Sequence, residues 1–190
     1  MPYEPPPELA ALSLAQIAEA VAARRLPAVN QWSPASAGES HMRIAANGQW
    51  FHEGAPINRP AMVRAFASLL TRDDAGQHWL VTPHERLAIA VDDAAFIATD
   101  LEVRADAQGQ PALAFRIQTD EFVIAGPDHP IRAAGDHETP ALYLGVRHGT
   151  EARLNRSTYG QLIDHALTVS GGDRLVVESL GSRFALTPPS

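Results

Sequence analysis

Residues 41–70, HMRIAANGQWFHEGAPINRPAMVRAFASLL, and residues 141–170, ALYLGVRHGTEARLNRSTYGQLIDHALTVS, run the same course twice. In each, a strand-like run meets a glycine-containing turn, Asn47-Gly48 in the first and His148-Gly149 in the second. A second short run follows, and an Asn-Arg pair then opens a helix. Asn155 stands 97 positions after Asn58, and at that offset Ile57 meets Leu154, Arg59 meets Arg156, Met62 meets Tyr159, Phe66 meets Ile163 and Leu70 meets Leu167. Each helix leads through a glycine-containing turn to a hydrophobic strand, Trp79-Leu80-Val81 or Leu175-Val176-Val177. Turn, strand, Asn-Arg, helix and strand in one repeated order mark an internal duplication of a β-hairpin–helix–strand unit.

Between the two copies the apolar period changes to that of strands, over Leu87 to Val91, Ala94 to Arg104, Ala112 to Thr119 and Phe122 to Ala125. The turn at 107–109 joins two long runs, so the middle of the chain reads as an antiparallel meander. Asn47-Gly48 is expected to supply both positive-φ positions of a type I′ turn. Ile57-Asn58-Arg59-Pro60 is expected to open a helix capped by Asn58, with Pro60 tolerated in its first turn and Met62, Phe66, Leu69 and Leu70 facing inward. The second copy's stripe is Tyr159, Leu162, Ile163 and Leu167, and Gly171-Gly172 closes its helix. Upstream, Ser13 and Gln16 form a capping-box pattern before a stripe of Leu14, Ile17, Ala18 and Val21. The fold class is therefore α+β. The expected division is an N-terminal arm and helix over 1–40, an α+β repeat over 41–88, and a β-rich domain over 89–190 that contains the second repeat.

Composition removes several chemistries. The chain has 190 residues and no Cys, and all fifteen of its basic residues are Arg. Disulfides, thiolate nucleophiles, Cys-ligated metals, Schiff-base lysines and the P-loop lysine are thus excluded. A net charge of −7 repels a phosphate backbone, so no nucleic-acid partner is expected. No apolar stretch approaches the roughly 18–20 residues of a membrane span, and the proline-rich, acidic start over 1–8 does not read as a signal peptide. A cytoplasmic location is expected.

The runs MRIAANGQWFHEGAPINR, LVTPHERLAIAVDDAAF and LNRSTYGQLIDHAL, in that order, resemble the bacterial family termed domain of unknown function 1285. The resemblance covers nearly all of the chain beyond the arm. Its most specific part is Thr82-Pro83-x-Glu85 followed by Val91-x-Asp93-x-x-Phe96. It implies a duplicated α+β core whose C-terminal half is superficially like a pleckstrin-homology (PH) fold. It further implies a small, nucleotide-based ligand held in the cleft between the halves, and a role in signal transduction. Arg86 and Ala95 stand where the resemblance leads one to expect Lys and Pro.

From the residues themselves, Arg59 and Arg156 with their neighbours Asn58 and Asn155 are the sharpest candidates. A helix start has free N–H groups and a positive dipole end, and Arg adds a forked donor for an anion. A pseudo-twofold relation between the copies would aim both helix starts at one phosphate-bearing ligand. The alternative is that each Arg pairs with a neighbouring acid and holds its repeat together. Pro83, Glu85 and Arg86 form a candidate rim, with Glu85 placed to accept from a ribose or base edge, or else a plain solvated turn. Asp93 is a further candidate, against a strand-ending role. Trp32, Trp50, Trp79 and Phe51 are candidate floors for a base, with core packing as the ordinary use. His129 and His137, with Asp128, Asp136 and Glu138, lack a metal-ligand spacing and read as a polar loop. His52 and His78 read as surface or rim residues. No metal and no cofactor is assigned.

Three function classes follow. The favoured one is a non-catalytic protein that binds a small anionic ligand, of nucleotide type, and passes the change to an unknown signalling partner by population shift. The alternatives are a hydrolase using Glu85 with His84 or a His-bound metal, and a protein–protein interaction module. No nucleophile elbow, glycine-rich phosphate loop or acid–base pair at diagnostic spacing supports the enzyme.

Overall fold

The computed structural model describes residues 7–171 and 174–188; most of the proline-rich arm lies outside them. In chain order the first elements are α1 (Leu14–Ala23), β1 (Ser36–Ile44), β2 (Trp50–His52), β3 (Ala55–Pro56), α2 (Pro60–Ala67), β4 (Leu70–Arg72), β5 (His78–Val81) and β6 (Glu85–Val91). There follow β7 (Phe96–Ala105), β8 (Pro111–Ile117), β9 (Glu121–Ile124), β10 (Ile131–Ala134), β11 (Ala141–Gly145) and β12 (Glu151–Leu154). The chain ends with α3 (Arg156–Ser170), β13 (Val176–Ser179) and β14 (Ser182–Ala185). These elements form two compact units, one built from Arg25–Phe96 with Val146–Glu151, the other from the remainder. Each carries a six-stranded sheet, and the α+β class with two similar units and a central meander holds.

In the first unit the strand order is β3-β2-β1-β6-β5-β4. β1 runs parallel to β6, while the β1–β2, β2–β3, β4–β5 and β5–β6 pairs are antiparallel. Strand alternation sends Met42, Ile44, Trp50, Leu70, Leu80 and Ile89 to one buried face. α2 covers it with Ala67 and with Phe66, whose ring stacks 6.4 Å from that of Trp50. The opposite face carries Arg43, Phe51, Trp79, Arg86, Ala88 and Ala90 by register. Arg43, Arg86 and Ala90 on it are solvent-exposed.

Local chemistry revises several expectations in this unit. The strand expected from His41 begins earlier: residues from Ser36 pair with Glu85 onward of β6. Such long-range parallel pairing overrides weak local strand propensity. The Asn47-Gly48 turn is not type I′, because only Gly48 takes a positive φ, of 86°. Asn47 accepts the Gln49 N–H on its side-chain oxygen, which keeps it in an ordinary conformation, and Gly48 donates to the Ala45 carbonyl. Met62 is exposed and Ala67 is buried, so the inward stripe of α2 is turned from the one expected.

In the second unit the order is β10-β11-β12-β7-β8-β9. Asp106 shapes the β7–β8 turn by accepting from the amides of Gln108 and Gln110. α1 begins with the expected capping box between Ser13 and Gln16. It buries Ile17, which joins Leu9, Ala114 and Phe122 in one cluster, whereas Ala18 and Val21 face solvent. Arg24, just past its end, reaches the buried Glu121 carboxylate at 2.9 Å. α3 buries Thr158, Leu162 and Ala166 and leaves Leu167 exposed, a stripe one step off the expected one. Gly171 ends it in the left-handed conformation, as read from the sequence, and Gly172 lies outside the described residues. The expected polar loop around His129 and His137 contains β10, paired antiparallel with β11. The β13–β14 hairpin is held down by the buried Ser179, whose hydroxyl donates to the Ala125 carbonyl at 2.7 Å and accepts from the Leu113 amide at 2.9 Å.

Among the described residues no helix is long and apolar enough to cross a membrane.

Candidate functional site

The Thr82–Arg86 segment links β5 to β6. Thr82 builds it: its hydroxyl accepts from the amides of His84 (3.3 Å) and Glu85 (3.1 Å), and its own amide donates to the Glu85 carbonyl at 2.9 Å. Pro83, with its fixed φ, stiffens the tip. Pro83, His84, Glu85 and Arg86 are all exposed, so the segment is a solvent-facing turn.

Arg86 is the member of that turn with a built environment. In the β5–β6 hairpin it lies opposite Val81, while Trp79 lies opposite Ala88, so Arg86 and Trp79 are diagonal neighbours on one face. The guanidinium sits 4.4 Å from the centroid of the Trp79 ring. Trp79 is itself fixed, because its indole N–H donates to Asp73 at 2.9 Å. That bond first, and the Gln77 amide second, hold the Asp73 carboxyl below the usual carboxylate range. The result is a chain of Asp73, Trp79 and Arg86 in which a carboxylate orients a ring and the ring carries a cation.

Next to it the floor is low. Ala88 and Ala90 follow on the same face of β6, and beyond them Arg43 lies 5.1 Å from the Phe51 ring centroid. Arg43 is bound to Asp92 at 2.5 Å, so its charge is largely met. Arg86 has no ion pair among the described residues. Of the four aromatic side chains considered as floors, Trp50 is core, whereas Trp79 and Phe51 flank this open alanine shelf.

The remaining candidates are placed differently. Asp93 lies past the far end of β6 from Glu85; a seven-residue strand spans roughly 20 Å, so one small ligand does not touch both. Asn58 is exposed and does not cap α2. The N-cap is Arg59, with φ −91° and ψ 107°, and its side chain makes no capping bond. Pro60 is the reason: the residue before a proline is driven out of the helical region, so Arg59 cannot be the first helical residue. α3 follows the expectation. Asn155 caps it by accepting from the Thr158 amide at 2.8 Å, and Arg156 opens the helix, exposed. The amides of Arg156 and Ser157 then have no acceptor within the helix.

His78 is not a rim residue. It lies on the inner face of β5 opposite Arg72 and is buried. Burial first, and the Arg72 charge second, push its imidazole pKa down against the opposing pull of Asp73 and Glu151. Around the His129–His137 segment, His129 meets the Gly145 carbonyl through Nδ1, and Asp136 accepts from the Glu138 and Thr139 amides. Those groups serve the backbone, and among the described residues no three His, Asp or Glu side chains converge on one point.

Two family models cover the chain. The N-terminal domain of DUF1285, a domain of unknown function, matches residues 27–94, and the C-terminal domain of DUF1285 matches residues 95–186. The chain belongs to the DUF1285 family. A DUF1285 family protein from Silicibacter pomeroyi, known from a crystal structure, is 39% identical, with 93% of this chain and 95% of that one covered and a TM-score of 0.77. A second, from Shewanella baltica, is 21% identical over 65% of this chain and 90% of its own, with a TM-score of 0.52, and shares the fold. A comparison with curated proteins finds no match. The duplicated two-domain arrangement is thus a property of the DUF1285 family.

Proposed function

We propose that this DUF1285 protein is a non-catalytic, cytoplasmic binder of a small anionic ligand of the nucleotide class, which it couples to a signalling protein. The observation that carries the reading is Arg86 stacked on Trp79 beside the open Ala88–Ala90 shelf. A stacked guanidinium keeps its in-plane N–H groups free for an anion, and its stem and ring already give up the freedom that binding would cost. The short side chains of Ala88 and Ala90 keep the sheet surface low beside the stack. Pro83 forms the rim at the turn, whereas alternation along β6 turns Glu85 to the other face from Arg86 and the alanines. Asn155 and Arg156 at the start of α3, in the second unit, are a separate candidate for an anion contact, through a capped helix start and a forked donor. Arg59 offers a weaker one, because Pro60 removes an amide from the first turn of α2.

A thermal-shift panel of nucleotides, cyclic dinucleotides, sugar phosphates and divalent metals tests this. A ligand at a hundred times its Kd adds about 2.7 kcal/mol, and for a chain of this size that raises Tm by about 5–11 °C. A nucleotide or sugar-phosphate shift of that size, reduced in Arg86→Ala, supports the reading, and Arg156→Ala tests the α3 start separately. Silence from every anion overturns it.

A further inference from the structure

The second unit carries a cavity of about 780 Å³, remote in sequence from the residues discussed above, between the end of α3 and the β13–β14 hairpin. Its volume is that of small-molecule pockets, about 300–1,000 Å³. Part of the lining is apolar: Val169 on the last turn of α3, Val176 on β13 and Pro111 at the start of β8. Val169 is 56% exposed, an apolar side chain left in water at the mouth.

The lining is also cationic. Arg174 and Arg183 both line the cavity. Arg174 makes no ion pair or hydrogen bond with any described residue. Arg183 meets only Glu178, at 3.2 Å, with both side chains largely in solvent, where such a pair is worth little and opens readily. Among the described lining residues Glu178 is the one acid, set against two arginines, inside a chain of net charge −7. His165 completes the lining, and burial lowers its pKa, so the charge comes from the two arginines.

We propose that this cavity binds a small amphipathic anion, its apolar body against Val169, Val176 and Pro111 and its acidic head against Arg174 and Arg183. A cation is opposed by the two arginines, and an uncharged solute leaves them unused. The shared chemistry is an anionic head on an apolar body; a carboxylate and a phosphate head are the two sources to separate.

The probe is 8-anilino-1-naphthalenesulfonate, an amphipathic anion that brightens on leaving water. The full chain is titrated at neutral pH and each variant is checked by circular dichroism. All the changed side chains are surface-lining, so the fold is retained. The expected result is saturable, single-site binding that weakens about tenfold or more in the double variant Arg174→Ala/Arg183→Ala and in Val169→Asp. Glu178→Gln, which removes the competing acid, tightens it. Decanoate or decyl phosphate displaces the probe, and the better competitor identifies the head group. Binding unchanged in the arginine and valine variants overturns the proposal, as does equal displacement by dodecyltrimethylammonium.

Discussion

The Arg86 guanidinium rests 4.4 Å above the Trp79 ring, and Trp79 is in turn tied to Asp73 through its indole N–H. Arg86 itself is exposed, beside the half-buried Trp79 and opposite the buried Val81 on the face of the sheet away from Trp50 and Ile44. Arg86 makes no direct ion pair among the described residues, and its charge adds to the bonds from Trp79 and Gln77 that keep Asp73 ionised. The arrangement is a presented charge with an orienting partner, which is what recognition of an anion requires.

Asn155 and Asn58 are equivalent in the sequence repeat and unequal in the structure. Asn155 accepts from the Thr158 amide, whereas Asn58 lies before the true N-cap of its helix. Asn155→Ala is expected to cost about 1 kcal/mol, and Asn58→Ala to stay within about 0.5 kcal/mol of wild type. Urea unfolding of both variants measures the difference; equal losses would mean that the two helices start alike.

Ser179 is buried, and its hydroxyl serves two strands at once, the Leu113 amide and the Ala125 carbonyl. Ser179→Ala leaves both without that partner in the dry interior. A loss of about 1–3 kcal/mol is expected from chemical denaturation. Ser179→Thr keeps the hydroxyl but adds a methyl to a packed site, so it does not restore full stability.

His78 gives the protein a pH dependence of definite sign. Its folded pKa lies below the ordinary 6.5, chiefly through burial, so the unfolded chain binds the proton more readily. The contribution is present above the unfolded value of 6.5 and is lost as pH falls toward the depressed folded value. His148 and His165, lowered mainly by burial as well, add to the same trend. Tm measured from pH 8 to pH 5 should decline, with a shallower slope in His78→Gln. An unchanged slope in that variant would remove His78 from the account.

The duplication was legible because it rests on glycine turns, caps and strand periods, which act locally. What stayed hidden depends on partners far along the chain or on a single neighbouring residue. Residues 36–39 become strand only because β6 runs beside them. Arg59 is pushed out of its helix by Pro60, a departure that matching the two copies by offset conceals. His78 reads as a hairpin residue until alternation along β5 assigns it to the inner face. The Arg86–Trp79 stack was open to inference: a hairpin closed at Thr82–Glu85 makes these residues diagonal neighbours, and the alternation of Trp79 and Val81 against Arg86 and Ala88 is the signal. The helix stripes erred by one step because small residues, Ala67 and Ala166, rather than larger ones, face the sheets.

The most direct test of the central claim is calorimetric titration of nucleotides and sugar phosphates into wild type, Arg86→Lys and Arg86→Ala. A charge-assisted contact is worth about 1.5–3 kcal/mol, so Arg86→Ala should bind at least tenfold more weakly than wild type. Arg86→Lys should fall between the two, since it keeps the charge but loses the planar fork and the stack. Equal affinity in wild type and Arg86→Ala would contradict the account.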